Sequence, residues 1–211
     1  MSSDRRLLLG GGIVVALTAL VSVLAYPSMP AEMATHWNAS GEVDGTMPRA
    51  FALALLPAIA AATLAFFAVI PRVDPRDGYE EFRSSYDLLA VATVAFVGYA
   101  HVLVVLANAS YEFELLAALS PGIGAIYVLG GYVTDRTEQN WFVGARTPWT
   151  LEDEAVWTDT NHLVARVLQV GGVVAALGAL APDYALALAV APALAAAVVS
   201  VAYSYREYRQ D

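Results

Sequence analysis

Six long apolar runs, separated by shorter polar stretches, make up most of the chain. The runs cover residues 7–26, 50–70, 88–107, 115–134, 163–181 and 184–203. Each has about the 20 residues that an α-helix needs to cross a hydrocarbon core of about 30 Å. Strands of a membrane barrel would instead alternate apolar and polar positions, whereas these runs are apolar on every side. The pattern predicts an all-α, polytopic integral membrane protein with six transmembrane helices.

Two of the polar stretches are long enough to carry structure of their own. We predict a single membrane domain over residues 1–211, in which residues 27–49 form one motif loop. Residues 135–162 form a second motif loop with an amphipathic helix, and residues 163–211 hold the last two transmembrane helices and the C-terminal tail.

The first polar stretch is rich in Pro, Gly, Asn and Asp, which favour turns. We expect residues 38–45 to fold back as a short, irregular hairpin over the helices. His36 and Trp37 precede this turn, and interfacial anchoring is the simplest role for them. Glu32 lies four residues before His36, but two ligands do not make a zinc site. A calcium loop is also excluded, because Phe51 stands where such a loop needs a bidentate Glu.

The second polar stretch contains NWFVGARTPWTLEDEAVW at residues 140–157. Pro148 precedes Thr150, and Asp153 follows Thr150 by three residues, which is the spacing of a helix N-cap and its capping box. We therefore predict an interfacial helix that begins near Leu151 and merges with the fifth span. An aromatic belt at the membrane surface accounts for the tryptophans of this stretch, Trp141, Trp149 and Trp157.

The arginines give an orientation. With six spans, both termini and the loops at 71–86 and 135–162 lie on one side of the membrane. Nine of the 11 basic residues, all of them arginines, fall in these segments, and Arg166 lies just inside the same boundary. Arg49 lies on the opposite side. By the positive-inside rule, the chain is a multi-pass protein of the cell membrane with cytoplasmic N- and C-termini, and the 27–49 loop is extracellular. A cleaved signal peptide is an alternative reading of the N-terminus.

Composition excludes several functions. The chain carries 20 acidic residues and a net charge of −9, so it has no basic surface for direct nucleic-acid binding. It has no cysteine, which excludes thiol chemistry. The sequence also lacks a G-x-S-x-G turn, an H-E-x-x-H helix, a phosphate-binding loop and a dinucleotide fingerprint. These absences indicate a protein that is not an enzyme, with no catalytic residues, metal or cofactor.

Three polar residues fall within the predicted spans, namely His101, Arg166 and Gln169. Ionisable groups inside a bilayer are functional candidates, so a small-solute or proton-coupled transporter is an alternative function. The simpler interpretation is that His101 is neutral and bonded to a neighbouring helix, and that Arg166 extends toward the headgroups.

Two motifs resemble those of the SdpI family of polytopic immunity proteins. The first is THWNASGEVDG at residues 35–45, which is similar to the family's N-terminal domain of unknown function, DUF1648. The second is N-x-x-x-G-x-R-T-P-W-T-L from Asn140 to Leu151, followed by E-x-V-W at residues 154–157. The family usually continues with Thr-His, whereas this chain has Thr160, Asn161 and His162. That change turns the histidine by about 100° around a helix.

The resemblance implies a membrane protein that confers resistance to a secreted, membrane-active peptide toxin and holds a small transcriptional repressor at the membrane. Its implied toxin-facing residues are His36, Trp37, Asn38, Gly41, Asp44 and Gly45. Its implied cytoplasmic partner-binding residues are Asn140, Gly144, Arg146, Thr147, Pro148, Trp149, Trp157 and Thr160. The lipid bilayer is the remaining expected partner. An enzyme that uses His36 and Asp44 as an acid/base pair is a further alternative.

Overall fold

The computed structural model describes residues 3–76 and 79–210. In chain order, its elements are α1 (Ser3–Ala25), β1 (Glu32–Trp37), β2 (Val43–Pro48), α2 (Arg49–Val73), α3 (Arg83–Asn108), α4 (Leu115–Thr134), α5 (Pro148–Glu152), α6 (Glu154–Ala176) and α7 (Ala185–Tyr208). Six helices, all except α5, are long and apolar enough to cross a membrane. The predicted all-α, six-span fold is therefore confirmed. Most of the helices extend beyond the predicted runs, because polar residues continue them past the apolar core.

The spanning helices pack against near neighbours in the chain: α1 against α2 and α3, then α3 against α4, α4 against α6, and α6 against α7. Their directions alternate. The two strands therefore lie at one end of the bundle, and residues 135–153 lie at the other. We call residues 32–48 the hairpin and residues 135–153 the motif segment. The Arg76 guanidinium, from the connection between α2 and α3, donates to the Leu151 carbonyl at 2.8 Å and so joins that connection to the motif segment.

Small and aliphatic side chains fill the space between α1, α2 and α3. The buried cluster contains Leu7, Ala60, Leu64, Ala90 and Val94. Large apolar side chains also cover the outside of the bundle, where Val23, Leu24 and Val198 are each about two-thirds exposed. Apolar residues on both faces of a helix are expected when its outer face meets lipid rather than water. The chain is thus a multi-pass membrane protein.

The hairpin is longer than the predicted fold at residues 38–45. Its strands pair antiparallel from Glu32 opposite Pro48 to Trp37 opposite Val43, with irregular register around His36. Met33 on β1 is fully buried and packs against the start of α2. A hairpin is therefore present as predicted, but its pairing extends beyond residues 38–45, because burial of this methionine brings β1 and β2 together as far as the first turn of α2.

Helices α4 and α6 cross at glycines. A β-carbon on Gly124 would lie 2.4 Å from the carbonyl oxygen of Gly172, and one on Gly172 would lie 2.6 Å from the carbonyl of Gly124. The two backbones are therefore in direct contact, as small residues permit in lipid-embedded helices. Because a carbonyl cannot swing aside as a side chain can, any larger residue must separate the helices.

We expect Gly124→Ala to destabilise the folded protein by about 1–3 kcal/mol through overpacking. The measurement is the thermal unfolding midpoint of the purified protein in detergent. Gly130→Ala, on the same helix, is the matched control, because a β-carbon there meets nothing within 4 Å. Equal midpoints for the two variants would contradict the close crossing.

Candidate functional site

Asn38 and Gly41 shape the tip of the hairpin. The Asn38 side-chain oxygen accepts the backbone N–H groups of Ser40 at 2.9 Å and Glu42 at 3.0 Å, so it closes the turn. Gly41 has a φ of 77°, a left-handed conformation in which a side chain is strained. These two motif residues therefore set the shape of the tip.

His36 and Asp44 meet across the two strands. The His36 Nδ1 and Asp44 Oδ1 atoms lie 2.5 Å apart, and 72% of the His36 side chain and 45% of the Asp44 side chain are exposed. Gly45 permits this approach, because a β-carbon there would lie 3.0 Å from the His36 β-carbon. The pair stands on the open surface of the hairpin, so it can contact a molecule that approaches this end of the bundle.

Beside the tip, Trp37 borders a cavity of about 300 Å³. Its lining includes Gly41 and two carboxylates, Glu114 before α4 and Asp183 between α6 and α7. An indole face beside carboxylates attracts a cationic group. The hairpin tip therefore extends into an acidic recess formed by two other connections at the same end.

Asn108 fixes the hairpin to the end of α3. Its side chain accepts the Ala34 backbone N–H at 2.8 Å and donates to the Ala34 carbonyl at 3.0 Å. The amide thus takes the place of a neighbouring strand for one residue. Sequence reasoning did not predict this role for Asn108, because nothing local links residues that lie 74 positions apart.

At the opposite end, Asn140 organises the motif segment. It is fully buried, and its oxygen accepts the backbone N–H groups of Phe142 at 2.8 Å and Val143 at 2.7 Å. Its nitrogen donates to the carbonyls of Glu138 at 2.8 Å and Val143 at 2.9 Å. One side chain therefore satisfies the backbone of a loop that forms no helix or strand.

Asp74 and Tyr79 connect this loop to the α2–α3 connection. Buried Asp74 accepts the Trp141 backbone N–H at 2.9 Å and the Tyr79 hydroxyl at 3.1 Å. The Tyr79 hydroxyl also lies 3.3 Å from the Asn140 side-chain oxygen. Burial, followed by the charge and hydrogen bond of Asp74, raises the pKa of Tyr79 above its ordinary value, so the phenol stays a donor. Sequence reasoning missed both residues. The one local signal was an acidic residue, Asp74, four positions after the second apolar run.

Gly144 passes between α6 and the rest of the loop. Its φ is 109°, and a β-carbon would lie 2.6 Å from the Asn161 side-chain oxygen. That oxygen accepts the Ala145 backbone N–H at 2.7 Å.

The indole of Trp157 donates to the Thr137 carbonyl at 2.9 Å and is 1% exposed. Trp157 is therefore a buried anchor of the loop, and its predicted place in an aromatic belt was wrong.

The predicted helix start was also wrong. Thr147, not Thr150, is the N-cap of α5, and Thr150 at the third position completes the capping box. Pro148 then occupies the first turn, where its missing N–H costs nothing. Asp153 ends α5 and caps α6 by accepting the Ala155 and Val156 N–H groups at 2.7 and 2.9 Å. The interfacial helix is consequently five residues long, and α6 continues from Glu154 into the bundle.

Burial divides the predicted partner-binding residues into two groups. Asn140, Thr147, Trp157 and Thr160 are buried, so their side chains hold the segment together. The Thr147 hydroxyl, for example, donates to the Ser204 hydroxyl on α7 at 2.9 Å. Arg146 and Pro148 are exposed, and Trp149 packs against the Tyr205 ring at 5.0 Å. Trp141 was not among the predicted partner-binding residues, but it is 45% exposed. These exposed residues form the surface of the motif segment.

The departure from the family pattern has a structural consequence. Asn161 faces inward and holds the loop, whereas His162 faces outward and its Nδ1 lies 2.7 Å from Asp135. Thr160 is fully buried, and among the described residues its hydroxyl has no hydrogen-bond partner. The histidine is thus displaced to an exposed contact with the carboxylate at the end of α4.

Two carboxyl groups meet where the α2–α3 connection approaches the motif segment. A hydrogen bond with Glu81, then burial and the charges of Glu81 and Glu154, raise the pKa of Glu138. A raised pKa in the folded state stabilises folding below the ordinary Glu value, and this contribution is lost as pH rises through the raised value. Above the raised value both carboxyl groups are charged, and they repel one another.

We expect Glu138→Gln to raise the unfolding midpoint at pH 7 and to lose this advantage as the pH falls below the ordinary range of Glu. Unfolding of both proteins in detergent across pH 4 to 8 measures the difference. Glu112→Gln, in the α3–α4 connection at the opposite end, is the control. A difference between Glu138→Gln and the parent protein that stays the same at every pH would contradict the raised pKa of Glu138.

The polar residues of the spans are not brought together. His101 Nε2 lies 2.8 Å from the Ser22 hydroxyl, which donates to the Leu53 carbonyl at 2.7 Å, so His101 bonds to neighbouring helices as expected. Arg166 and Gln169 lie on α6, where Gln169 packs at the Gly131 position of α4. Across residues 3–76 and 79–210, no three His, Asp or Glu side chains are grouped to hold a metal.

Two protein-family models match this chain. The domain of unknown function DUF1648 matches residues 13–61, which include most of α1, the hairpin and the first half of α2. The SdpI/YfhL protein family matches residues 136–204, which include the motif segment, α6 and most of α7. The immunity protein SdpI of Bacillus subtilis (strain 168) is 26% identical over 200 residues, which cover 94% of this chain and 94% of that protein. No solved structure matches this chain.

Proposed function

We propose that this chain is an immunity protein against a secreted, membrane-active peptide toxin. Its resemblance to the SdpI family is confirmed by the family matches and by an alignment over nearly the whole chain. The observation that carries the proposal is the alignment with the immunity protein SdpI across 94% of both chains. The six spanning helices put the protein where such a toxin acts.

We assign the toxin-facing surface to the hairpin end. His36 and Asp44 offer exposed polar groups, and Trp37 offers a half-buried indole, on a short hairpin. The adjoining recess adds the carboxylates of Glu114 and Asp183. This surface suits a peptide with a cationic and an apolar part, because carboxylates attract the first and an indole packs against the second. Asn38, Gly41 and Gly45 act by holding the surface in shape.

We assign the cytoplasmic docking surface to the exposed part of the motif segment. Trp141, Arg146 and Pro148 form it, and the Arg146 guanidinium donates to the Trp141 carbonyl at 2.7 Å. Tryptophan and arginine are the residues that most often dominate protein interfaces. A small transcriptional repressor held at the membrane is the partner that the family resemblance suggests.

Helix α3 is the element best placed to couple the two surfaces. At one end, Asn108 bonds to the hairpin backbone. At the other end, the Tyr86 ring packs edge-on against Tyr79 at 5.3 Å. Tyr79 donates to Asp74, which in turn accepts the Trp141 backbone N–H of the motif segment. Toxin contact can shift this helix only if the toxin binds two arrangements with different affinity. We propose that α3 has two such arrangements.

Deletion of the gene from its native strain tests the proposal. Cells with and without the gene are challenged with spent medium from the same strain, and the expected result is selective killing of the deletion cells, reversed by complementation. A parallel pull-down through the motif segment captures the repressor. Equal survival of both strains in medium that kills unrelated cells would contradict the immunity function.

The acid/base alternative rests on the contact between His36 and Asp44. That pair lies on an open surface and outside the cavity beside Trp37. A hydrolytic site needs a pocket that holds substrate against the acid and base. We therefore interpret the pair as a recognition feature, and a protective activity that survives His36→Asn but not His36→Ala would support binding over proton transfer.

A further inference from the structure

An apolar furrow runs along the outside of the bundle between α6 and α7. Its volume is about 510 Å³, and its walls are formed by Val167, Val170, Gly171, Val174, Ala191 and Ala195, with Pro192 at its base. Valines line the α6 side and alanines line the α7 side, so the furrow stays open. Gly171 and Pro192 meet where the helices touch, since a β-carbon on Gly171 would lie 2.5 Å from that of Pro192.

Arg166 closes one end of this furrow. Its side chain is exposed, and among the described residues it makes no hydrogen bond or ion pair. Other arginines near the same end are engaged: Arg72 and Arg83 with Asp4, Arg76 with Leu151, and Arg136 with Tyr132. A guanidinium with no partner among the described residues, on the lipid-facing side of a spanning helix, can pair with an anionic group from outside the chain.

The dimensions of the furrow fit one leaflet of a bilayer. From Arg166 to Val174 the furrow follows about eight residues of α6, or about 12 Å at the helical rise. Half of a hydrocarbon core is about 15 Å thick. Side chains on a helix lean toward its N-terminus, which for α6 is the motif-segment end. Arg166 therefore leans away from the furrow toward the headgroups, while the furrow extends toward the centre of the membrane.

We propose that this furrow binds one anionic phospholipid, with an acyl chain along α6 and α7 and the headgroup phosphate on the Arg166 guanidinium. A guanidinium pairs with a phosphate through two parallel hydrogen bonds, which an ammonium cannot reproduce. The apolar walls and the single cation match the two parts of such a lipid. The site is separate from the hairpin and from the exposed surface of the motif segment.

Native mass spectrometry of the purified protein tests the site. The protein is titrated with dioleoyl phosphatidylglycerol or dioleoyl phosphatidylcholine, and lipid binding is compared among the parent protein, Arg166→Gln and Arg136→Gln. We expect the parent protein and Arg136→Gln to prefer phosphatidylglycerol by about tenfold, and Arg166→Gln to lose that preference. Ala195→Leu fills the furrow with the guanidinium intact, so it is expected to weaken binding of both lipids.

Equal lipid preference in Arg166→Gln and the parent protein would overturn the proposal. So would displacement of the lipid by millimolar inorganic phosphate, because that result would mean that the arginine binds phosphate without the furrow. If one variant does not fold, the other still decides, since Arg166→Gln tests the headgroup contact and Ala195→Leu tests the acyl-chain contact.

Discussion

Alanine at Trp37 or Asp44 is expected to remove toxin protection while leaving the protein in the membrane at its normal level. Trp37 borders the acidic recess, and Asp44 holds His36 across the strands. Loss of a tryptophan at the centre of an interface typically costs about 2 kcal/mol or more, which is about a 30-fold loss of affinity. Survival in the toxin challenge should therefore fall to the level of cells that lack the gene.

Thr46→Ala is the matched control for this prediction. Thr46 is exposed on β2 of the same hairpin, and it lies outside the motif pattern. The amount of protein in the membrane fraction is measured for each variant, so that loss of protein is distinguished from loss of binding. Full protection in Trp37→Ala and Asp44→Ala cells would assign the toxin contact to another part of the chain.

Replacement of Asn140 by alanine is expected to destabilise the motif segment by about 2–4 kcal/mol. The change leaves the N–H groups of Phe142 and Val143 and the carbonyl of Glu138 without their partner. These hydrogen bonds are part-buried, so each lost partner costs toward the lower end of the about 1–3 kcal/mol of a fully buried, unpaired group. Because Tyr79 and Asp74 support the same loop, the α2–α3 connection should loosen with it. Limited proteolysis and the unfolding midpoint in detergent measure both effects.

Arg146→Ala separates folding from docking in the same segment. Its guanidinium is exposed, and within the described part of the chain its hydrogen bond is to the Trp141 carbonyl, so the unfolding midpoint should be nearly unchanged. Capture of the repressor, in contrast, should be weakened. A large loss of stability in Arg146→Ala, or none in Asn140→Ala, would reverse the roles that burial gives to these two residues.

The spanning helices could be predicted from the sequence because lipid removes the alternatives. Inside a bilayer every backbone group must be satisfied within the segment, so an apolar run of about 20 residues has one stable form. The position of the hairpin could be predicted from its turn residues, but the length of its strands could not. That length depends on the burial of Met33 against α2, which is a contact between distant parts of the chain. The strands extend to Glu32 and Pro48 for that reason.

The motif segment was the least predictable part, because its structure depends on residues far away in sequence. Asp74 and Tyr79 bond to it from the α2–α3 connection, and Ser204 bonds to it from α7. Its local helix signal was ambiguous, with two threonines three residues apart that could each be the N-cap. Pro148 settles that choice, because it follows the true cap directly.

Two-sided labelling of introduced cysteines tests the central claim most directly. The chain has no cysteine of its own, so Ser40→Cys at the hairpin tip and Arg146→Cys in the motif segment each create a single thiol. Intact cells are treated with a membrane-impermeant maleimide, and then permeabilised cells are treated in the same way. We predict that Ser40→Cys is labelled in intact cells and that Arg146→Cys is labelled only after permeabilisation. Labelling of both thiols in intact cells would contradict a protein that meets a toxin outside and a partner inside.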